Sequence, residues 1–439
     1  MHRSSVLGAA AAVAIFGYVP ALEARTEVIF WHAMGGELGQ KTQALADGFN
    51  ASQDEFFVQA EYRGNYTETM TGAIAAFRAR QQPHIVQVFE VGTATMMAAE
   101  GAIYPVHQLM ADTGVDWDPD DYLESVVGYY TTPDGRMLSM PFNSSTPVMY
   151  YNKDHLAQAG LDPDSPPTTW AEMSDAIDAL QASGVVCGLT TGWQSWVQIE
   201  NFSAWHDLPL GTYDNGFAGL GTELVFNTTA VVDHVAMLGD WQRSRKFDYG
   251  GRRSDAAPKF YSGECAFYTN SSAAYAGVLA NTDFEFGIAM LPHHDHIEAA
   301  PQNSIIGGAT LWVLQGKDAD SYRGVAEFFN YLATPEVQAQ WHQETGYLPI
   351  TYSAWELSRE QGFYDANPGT ETSILQMTLN EPTPNSKGLR FGSFVQIRDI
   401  INEELESVWS GQKTAQQALD DAAARGNDLL RQFERDHSS

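Results

Sequence analysis

Three copies of one local unit open this chain and fix its fold class. Residues 28–31, 56–62 and 84–90 are strand-like runs about 28 residues apart. Each ends in a polar or glycine turn and leads into a segment of helical period, at 38–50, 67–80 and 93–100. Strands that alternate with helices at this spacing make βαβ units and a parallel sheet. The turns hold no nucleotide fingerprint, because Gly35-Gly36-Glu37 has neither the phosphate-loop nor the dinucleotide spacing.

A second α/β region begins after residues 137–147, whose two prolines and small polar residues suit a crossover between lobes. There Thr169 and Glu172 have the spacing of a capping box, and Trp170, Met173, Ile177 and Leu180 form the inward stripe of its helix. Further strands are expected at 185–191, 263–269 and 305–314, and helices at 324–333, 395–409 and 414–436. Ahead of the first unit, residues 1–24 carry Arg3, an apolar run from Val6 to Val19 and small residues at Ala21 and Ala24. That run is shorter than the roughly 20 residues that span a bilayer, and its layout is that of a secretory signal peptide. The rest of the chain is therefore expected to be soluble and outside the cytoplasm.

The net charge of -31, from 24 Lys and Arg against 55 Asp and Glu, argues against nucleic acid or an anionic membrane as partner. Any anionic ligand has to be drawn in by local structure against that field. Cys187 and Cys265 are either a disulfide, as an oxidising compartment allows, or two small buried hydrophobes.

Ligands of open parallel sheets bind outside the carboxyl ends of the strands. In the first lobe those ends supply Trp31, His32, Glu37, Tyr66 and Glu90, carboxylates and rings suited to a polyol. There is no Gly-x-Ser-x-Gly elbow and no motif that makes either cysteine a nucleophile. His293-His294-Asp295-His296, set between Pro292 and Pro301, reads as an exposed loop rather than a metal site. Neither a cofactor nor a metal is expected. The alternative from another class is an extracytoplasmic hydrolase with Glu90 and Glu37 as acid and base.

Several blocks closely resemble the periplasmic sn-glycerol-3-phosphate-binding proteins of bacterial ABC importers. They include Phe30-Trp31-His32, Gly64-Asn65-Tyr66, residues 90–97 and 141–147, Glu200–Trp205 in sequence order, Thr345-Gly346-Tyr347 and Val395-Gln396-Ile397-Arg398. The resemblance covers essentially all of the chain beyond residue 24. It implies a two-lobed periplasmic binding protein fold of the maltose-binding-protein-like kind. Each lobe is then a mostly parallel sheet flanked by helices, with three hinge crossings near 139–142, 291–304 and 343–348. The N-terminal lobe would hold 25–139 with 300–343, and the C-terminal lobe 140–299 with 344–439.

Carried over position by position, the ligand contacts are Tyr66, Glu90, Ser145, Trp170, Ser271, Gly308, Tyr347 and Arg398. Glu90 and Tyr66 would hold glycerol hydroxyls while the Trp170 ring covers the carbon backbone. Ser271, Tyr347, the Gly308 amide and the fork of Arg398 would cradle the phosphate. The resemblance implies a monomeric, non-enzymatic binder that hands sn-glycerol 3-phosphate to a heterodimeric ABC permease in the inner membrane. Glycerophosphodiesters such as glycerophosphocholine are the alternative ligand, and a large residue at Trp170 favours the monoester.

Overall fold

The computed structural model describes residues 25–99, 101–132 and 134–437, so the leader expected at 1–24 lies outside the described residues. In chain order its strands are β1 (Thr26–His32), β2 (Phe56–Tyr62), β3 (Ile85–Phe89), β4 (Ile103–Tyr104) and β5 (Met140–Ser145). They continue with β6 (Pro147–Asn152), β7 (Cys187–Thr191), β8 (Cys265–Ser271), β9 (Phe286–Ala289) and β10 (Gly307–Leu314). One sheet runs β2-β1-β3-β10-β4, with β5 also paired to β10. The other runs β7-β8-β6-β9.

The expected βαβ units are present, and β1 pairs in parallel with both β2 and β3. The sheets as a whole are mixed rather than mostly parallel. β10 comes back from the second sheet and runs antiparallel to β3, β4 and β5. In the other sheet β6 is antiparallel to β8 and β9, and only β7 with β8 is parallel. Because β5 pairs with β10 through Ser145, the first sheet extends beyond residue 139. The first crossing therefore falls at Thr146, between β5 and β6, and not at 139–142. There Thr146 Oγ1 donates to Ser304 Oγ at 2.7 Å, and Leu348 N–H donates to the Ser144 carbonyl at 2.7 Å. Those two bonds bring all three crossing segments together.

Hydrophobic patterning explains the layers. β1 buries Val28, Phe30 and His32 on one face, while β3, covered on both, is buried throughout. Phe30 meets Phe142 and Phe328 within a core that also holds Phe49 and Val58. Burying each side chain of this kind is worth about 1.5–3 kcal/mol. The polar member of β3, Gln87, is fully satisfied: its Oε1 accepts from Ala33 N–H at 2.7 Å, and its Nε2 donates to Asn143 Oδ1 at 2.7 Å.

Helix α1 (Gly36–Ser52) follows β1, and α2 (Tyr66–Arg78) follows β2. Asn65 and Glu68 close a reciprocal capping box at the start of α2, which fixes Tyr66 as its first residue. The capping box expected at Thr169 and Glu172 starts α3 (Trp170–Ala182). Helices α4 (Phe394–Trp409) and α5 (Ala415–His437) pack on each other and on the second lobe.

Cys187 and Cys265 are opposite residues of β7 and β8 and form a disulfide that closes a separation of 78 residues. A loop of that length restricts the unfolded chain by about 4.5 kcal/mol in the chain-entropy account. The double variant Cys187→Ala/Cys265→Ala should lose about 2–5 kcal/mol of unfolding free energy in urea titration. An unchanged midpoint would show that the bridge contributes nothing to stability.

Candidate functional site

The strand ends converge on one cleft of about 200 Å³ between the two sheets. From the first sheet come Tyr66 at the start of α2, Phe89 and Glu90 at the end of β3, and Ser145 at the end of β5. Gly307 and Gly308 join them because β10 runs backwards, so that its beginning lies at the same edge. The second lobe supplies Asn270 and Ser271 from the end of β8, Trp193 and Trp196 beyond β7, and Arg398 from α4. Tyr347, just past the helix Pro335–Thr345, completes the lining at the hinge.

Seven of the eight residues named from the sequence line this cleft, and Trp170 does not. Its ring is buried as the first residue of α3, against Trp241, His234 and His294. The stripe that includes Met173, Ile177 and Leu180 draws it inward, away from the cleft. The indole surface of the cleft comes instead from Trp193 and Trp196, beside the rings of Tyr66, Phe89 and Tyr347. The Trp196 ring lies so close to Gly307 that a Cβ there would come within 2.5 Å of it. Gly192-Trp193-Gln194-Ser195-Trp196 directly follows β7, so the strand-end rule pointed to it. Along residues 31–37 the lining is Ala33, Met34 and Gly35; Trp31, His32 and Glu37 do not reach it. Trp31 lies under the Arg63 guanidinium at 4.1 Å, and His32 is buried beside Tyr62.

Arg398 is the charged centre of the cleft. Its Nη2 donates to Glu90 Oε1 at 2.6 Å, across the lobes, and to Glu200 Oε2 at 2.5 Å. Its Nε donates to Glu200 Oε1 at 2.8 Å. The side-on fork is thus taken by Glu200, a residue the sequence reading gave no role. Burial opposes the charge of Arg398, yet the two carboxylates hold its pKa above the ordinary value. Burial raises that of Glu90, Arg398 pulls it back, and the like charge of Glu200 adds to the rise.

Burial also pushes the Tyr347 phenol up to about 12 and Tyr66 well above its usual range, so both remain hydroxyl donors at neutral pH. Tyr66 stacks on Phe89 at 5.1 Å and accepts a bond from Asn143 Nδ2 at 2.9 Å. Ser271 Oγ accepts from Ala273 N–H at 3.1 Å.

The histidine loop differs from the exposed stretch expected. Asp295 and His296 are exposed, but His294 turns inward beside Trp170 and within 3.3 Å of His234 Nδ1. His206 Nε2 accepts from the His294 amide at 2.9 Å, and His234 bonds Gln198 at 3.0 Å. No group of residues suited to a metal ion occurs among the described residues. Burial lowers His206 to about 3, His294 to about 4 and His234 well below its usual value. The unfolded chain therefore binds more protons than the folded one below about pH 6.5, so stability is full above that pH and falls towards pH 4. The thermal midpoint should drop over that interval, and His234→Gln should flatten the fall. A midpoint constant from pH 7 to 4.5 would refute this.

A two-lobed α/β protein with a polar cleft at its strand ends, crossed by three chain segments, has the architecture of a solute-binding protein. The family model of bacterial extracellular solute-binding proteins matches residues 44–372, and the chain belongs to that family. The chain is 49% identical to the sn-glycerol-3-phosphate-binding periplasmic protein of Salmonella typhimurium over 99% of this chain and 98% of that one. With its counterpart of the same name in Escherichia coli K12 it shares 50% identity over 95% of each. Among solved structures, UgpB from Mycobacterium tuberculosis in complex with glycerophosphocholine aligns with TM-score 0.78 at 23% identity, over 92% of this chain and 98% of that one. The cyclic alpha-maltosyl-1,6-maltose binding protein from Arthrobacter globiformis aligns with TM-score 0.72 at 22% identity, over 93% and 100%. These two similarities establish the fold. No helix among the described residues is long and apolar enough to cross a membrane.

Proposed function

We propose that this chain captures sn-glycerol 3-phosphate in the periplasm, without turning it over, and delivers it to an ABC permease in the inner membrane. The observation that carries the reading is the buried guanidinium of Arg398 in a cleft lined by Ser145, Ser271, Tyr347 and the glycine pair of β10. One cation and several neutral donors can hold a phosphate inside a protein of net charge -31. Glu90 and Tyr66 accept and donate to the glycerol hydroxyls, and Trp193 and Trp196 cover the carbon chain. Ligand that touches both lobes favours the closed form and shifts the population towards it. A monomer that closes in this way presents the permease with a different surface when loaded.

A second ligand reading has its own support. Beside Trp193, Trp196 and Arg398 lies a further cavity of about 350 Å³ that reaches Arg252, Asp399 and Asn402. It leaves room for the head group of a glycerophosphodiester. Calorimetric titration with glycerol 3-phosphate, glycerophosphocholine, maltose and inorganic phosphate tests both. Binding of maltose alone would overturn the phosphate reading. Turnover of glycerophosphocholine that disappears in Glu90→Gln would make the protein a hydrolase.

A further inference from the structure

We propose that Glu200 is a positioning residue that acts through Arg398 and sets how much negative charge the cleft accepts. This rests on the reading of the cleft as a phosphate site. Glu200 does not line the cleft. It lies behind Arg398 in the wide, π-helical turn Trp196–Asn201, the same turn that carries Trp196 into the cleft. It is 1% exposed.

The two carboxylates on Arg398 are not equivalent. Glu200 takes Nε and one hydrogen of Nη2, and Ser195 Oγ donates a further bond to its Oε1 at 3.1 Å. All three residues belong to the second lobe, so this arrangement does not depend on the lobes being closed. Glu90 comes from the other sheet and holds Arg398 through Nη2 alone. It can yield that hydrogen to a ligand, whereas Glu200 is a permanent counter-charge. With the side-on fork occupied, the donors left for a phosphate are Nη1, which makes none of the described hydrogen bonds, and the hydrogen that Glu90 releases.

Two carboxylates around one guanidinium leave this cluster one negative charge in excess. A phosphomonoester brings two negative charges at pH 8, and a phosphodiester one. In a buried site each unit of like charge counts for far more than in water. Glu200 therefore penalises the dianion more than the monoanion. Its surroundings do not cancel the effect. The phenols of Tyr129 and Tyr130 are held neutral by burial, and Arg252, in the adjoining cavity, is paired with Glu406. Arg253, Asp255 and Asp399 line that same adjoining cavity.

The test is calorimetry at pH 8 with glycerol 3-phosphate and glycerophosphocholine on the wild type, Glu200→Gln and Glu200→Asp. Glu200→Gln removes the charge and keeps the shape. It should move the ratio of the two affinities towards the monoester by at least about tenfold. Glu200→Asp keeps the charge but shortens the arm that holds Arg398. It should weaken both ligands together and leave the ratio unchanged. A merely structural role predicts parallel losses in both variants, and that result, or an unchanged ratio in Glu200→Gln, overturns the assignment. Should Glu200→Gln fail to fold, Ser195→Ala loosens the same carboxylate and should weaken both ligands several-fold; wild-type affinity there also overturns it. A wild type that binds glycerophosphocholine and not the monoester supports the assignment once Glu200→Gln gains the monoester. A wild type that binds neither refutes the phosphate reading and this role with it.

Discussion

Arg398→Ala should abolish capture of a glycerol phosphate and, in the same protein, lower stability without ligand. The binding loss follows from removing the buried cation that meets the phosphate, an interaction worth roughly 2–5 kcal/mol when truncated. The stability loss has a different origin. Without the guanidinium, Glu90 and Glu200 are left buried with no counter-charge where both had bonded it at 2.5–2.8 Å. Breaking a buried pair by removing one partner costs about 3–5 kcal/mol. The two effects separate by pH. The loss of Arg398 removes the contact that pulled the raised pKa of Glu90 back, so the carboxyl rises further and takes up a proton more easily. The stability deficit against wild type should therefore shrink from pH 8 to pH 5, while binding stays lost. Urea titrations at both pH values and calorimetry read the two effects. Unchanged affinity would mean that the phosphate lies elsewhere.

Gly308→Ala should damage the scaffold to a similar extent, by a different route. Gly308 has φ +99°, in the region L-residues rarely enter, and a Cβ there would lie 1.9 Å from the Asn143 carbonyl oxygen. That neighbour is backbone of β5, in register with β10 beside the irregularity at Ala309 and Thr310, so it cannot swing away. Strain and overpacking together should cost about 3–5 kcal/mol. Any relief separates β5 from β10 and moves Asn143, whose amide holds the Tyr66 hydroxyl and Gln87. Affinity should fall along with the urea midpoint. A variant with wild-type midpoint and affinity would show that the close approach is not needed.

The alternation of strand and helix made β1, β2 and β3 legible because each unit is local, with its strand, turn and helix adjacent in sequence. The pairing of β10 was not legible, although resemblance placed its segment in the first lobe. Its pairing partners lie in segments far earlier in the chain, and nothing in residues 307–314 encodes which strands flank them. The same division runs through the cleft. Tyr66 and Glu90 follow from the strand-end rule, whereas Ser145, Ser271, Gly308, Tyr347 and Arg398 came from resemblance to known binders. Trp170 was misplaced although its helical spacing already assigned it to the core, beside Met173 and Ile177. Trp193 and Trp196 stand just beyond a strand end, where the same rule places ligand contacts. Arg398 was expected to offer a free fork, but its partners lie 198 and 308 residues away in sequence, a distance over which no local pattern reports charge pairing.

The insertion of β10 between β3 and β4 also governs the order in which the molecule can be completed. During synthesis, β1 to β5 emerge long before Leu314, and the whole of β6 to β9 is made in between. Until β10 arrives, β3 and β4 have no strand to join them, and β5 has no partner in its sheet. A nascent or truncated chain that ends anywhere before residue 307 lacks the strand that unites the first lobe. The lobe encoded first is in this sense finished last, and the wall of the cleft formed by Ser145, Gly307 and Gly308 is set only once the returning strand is in place.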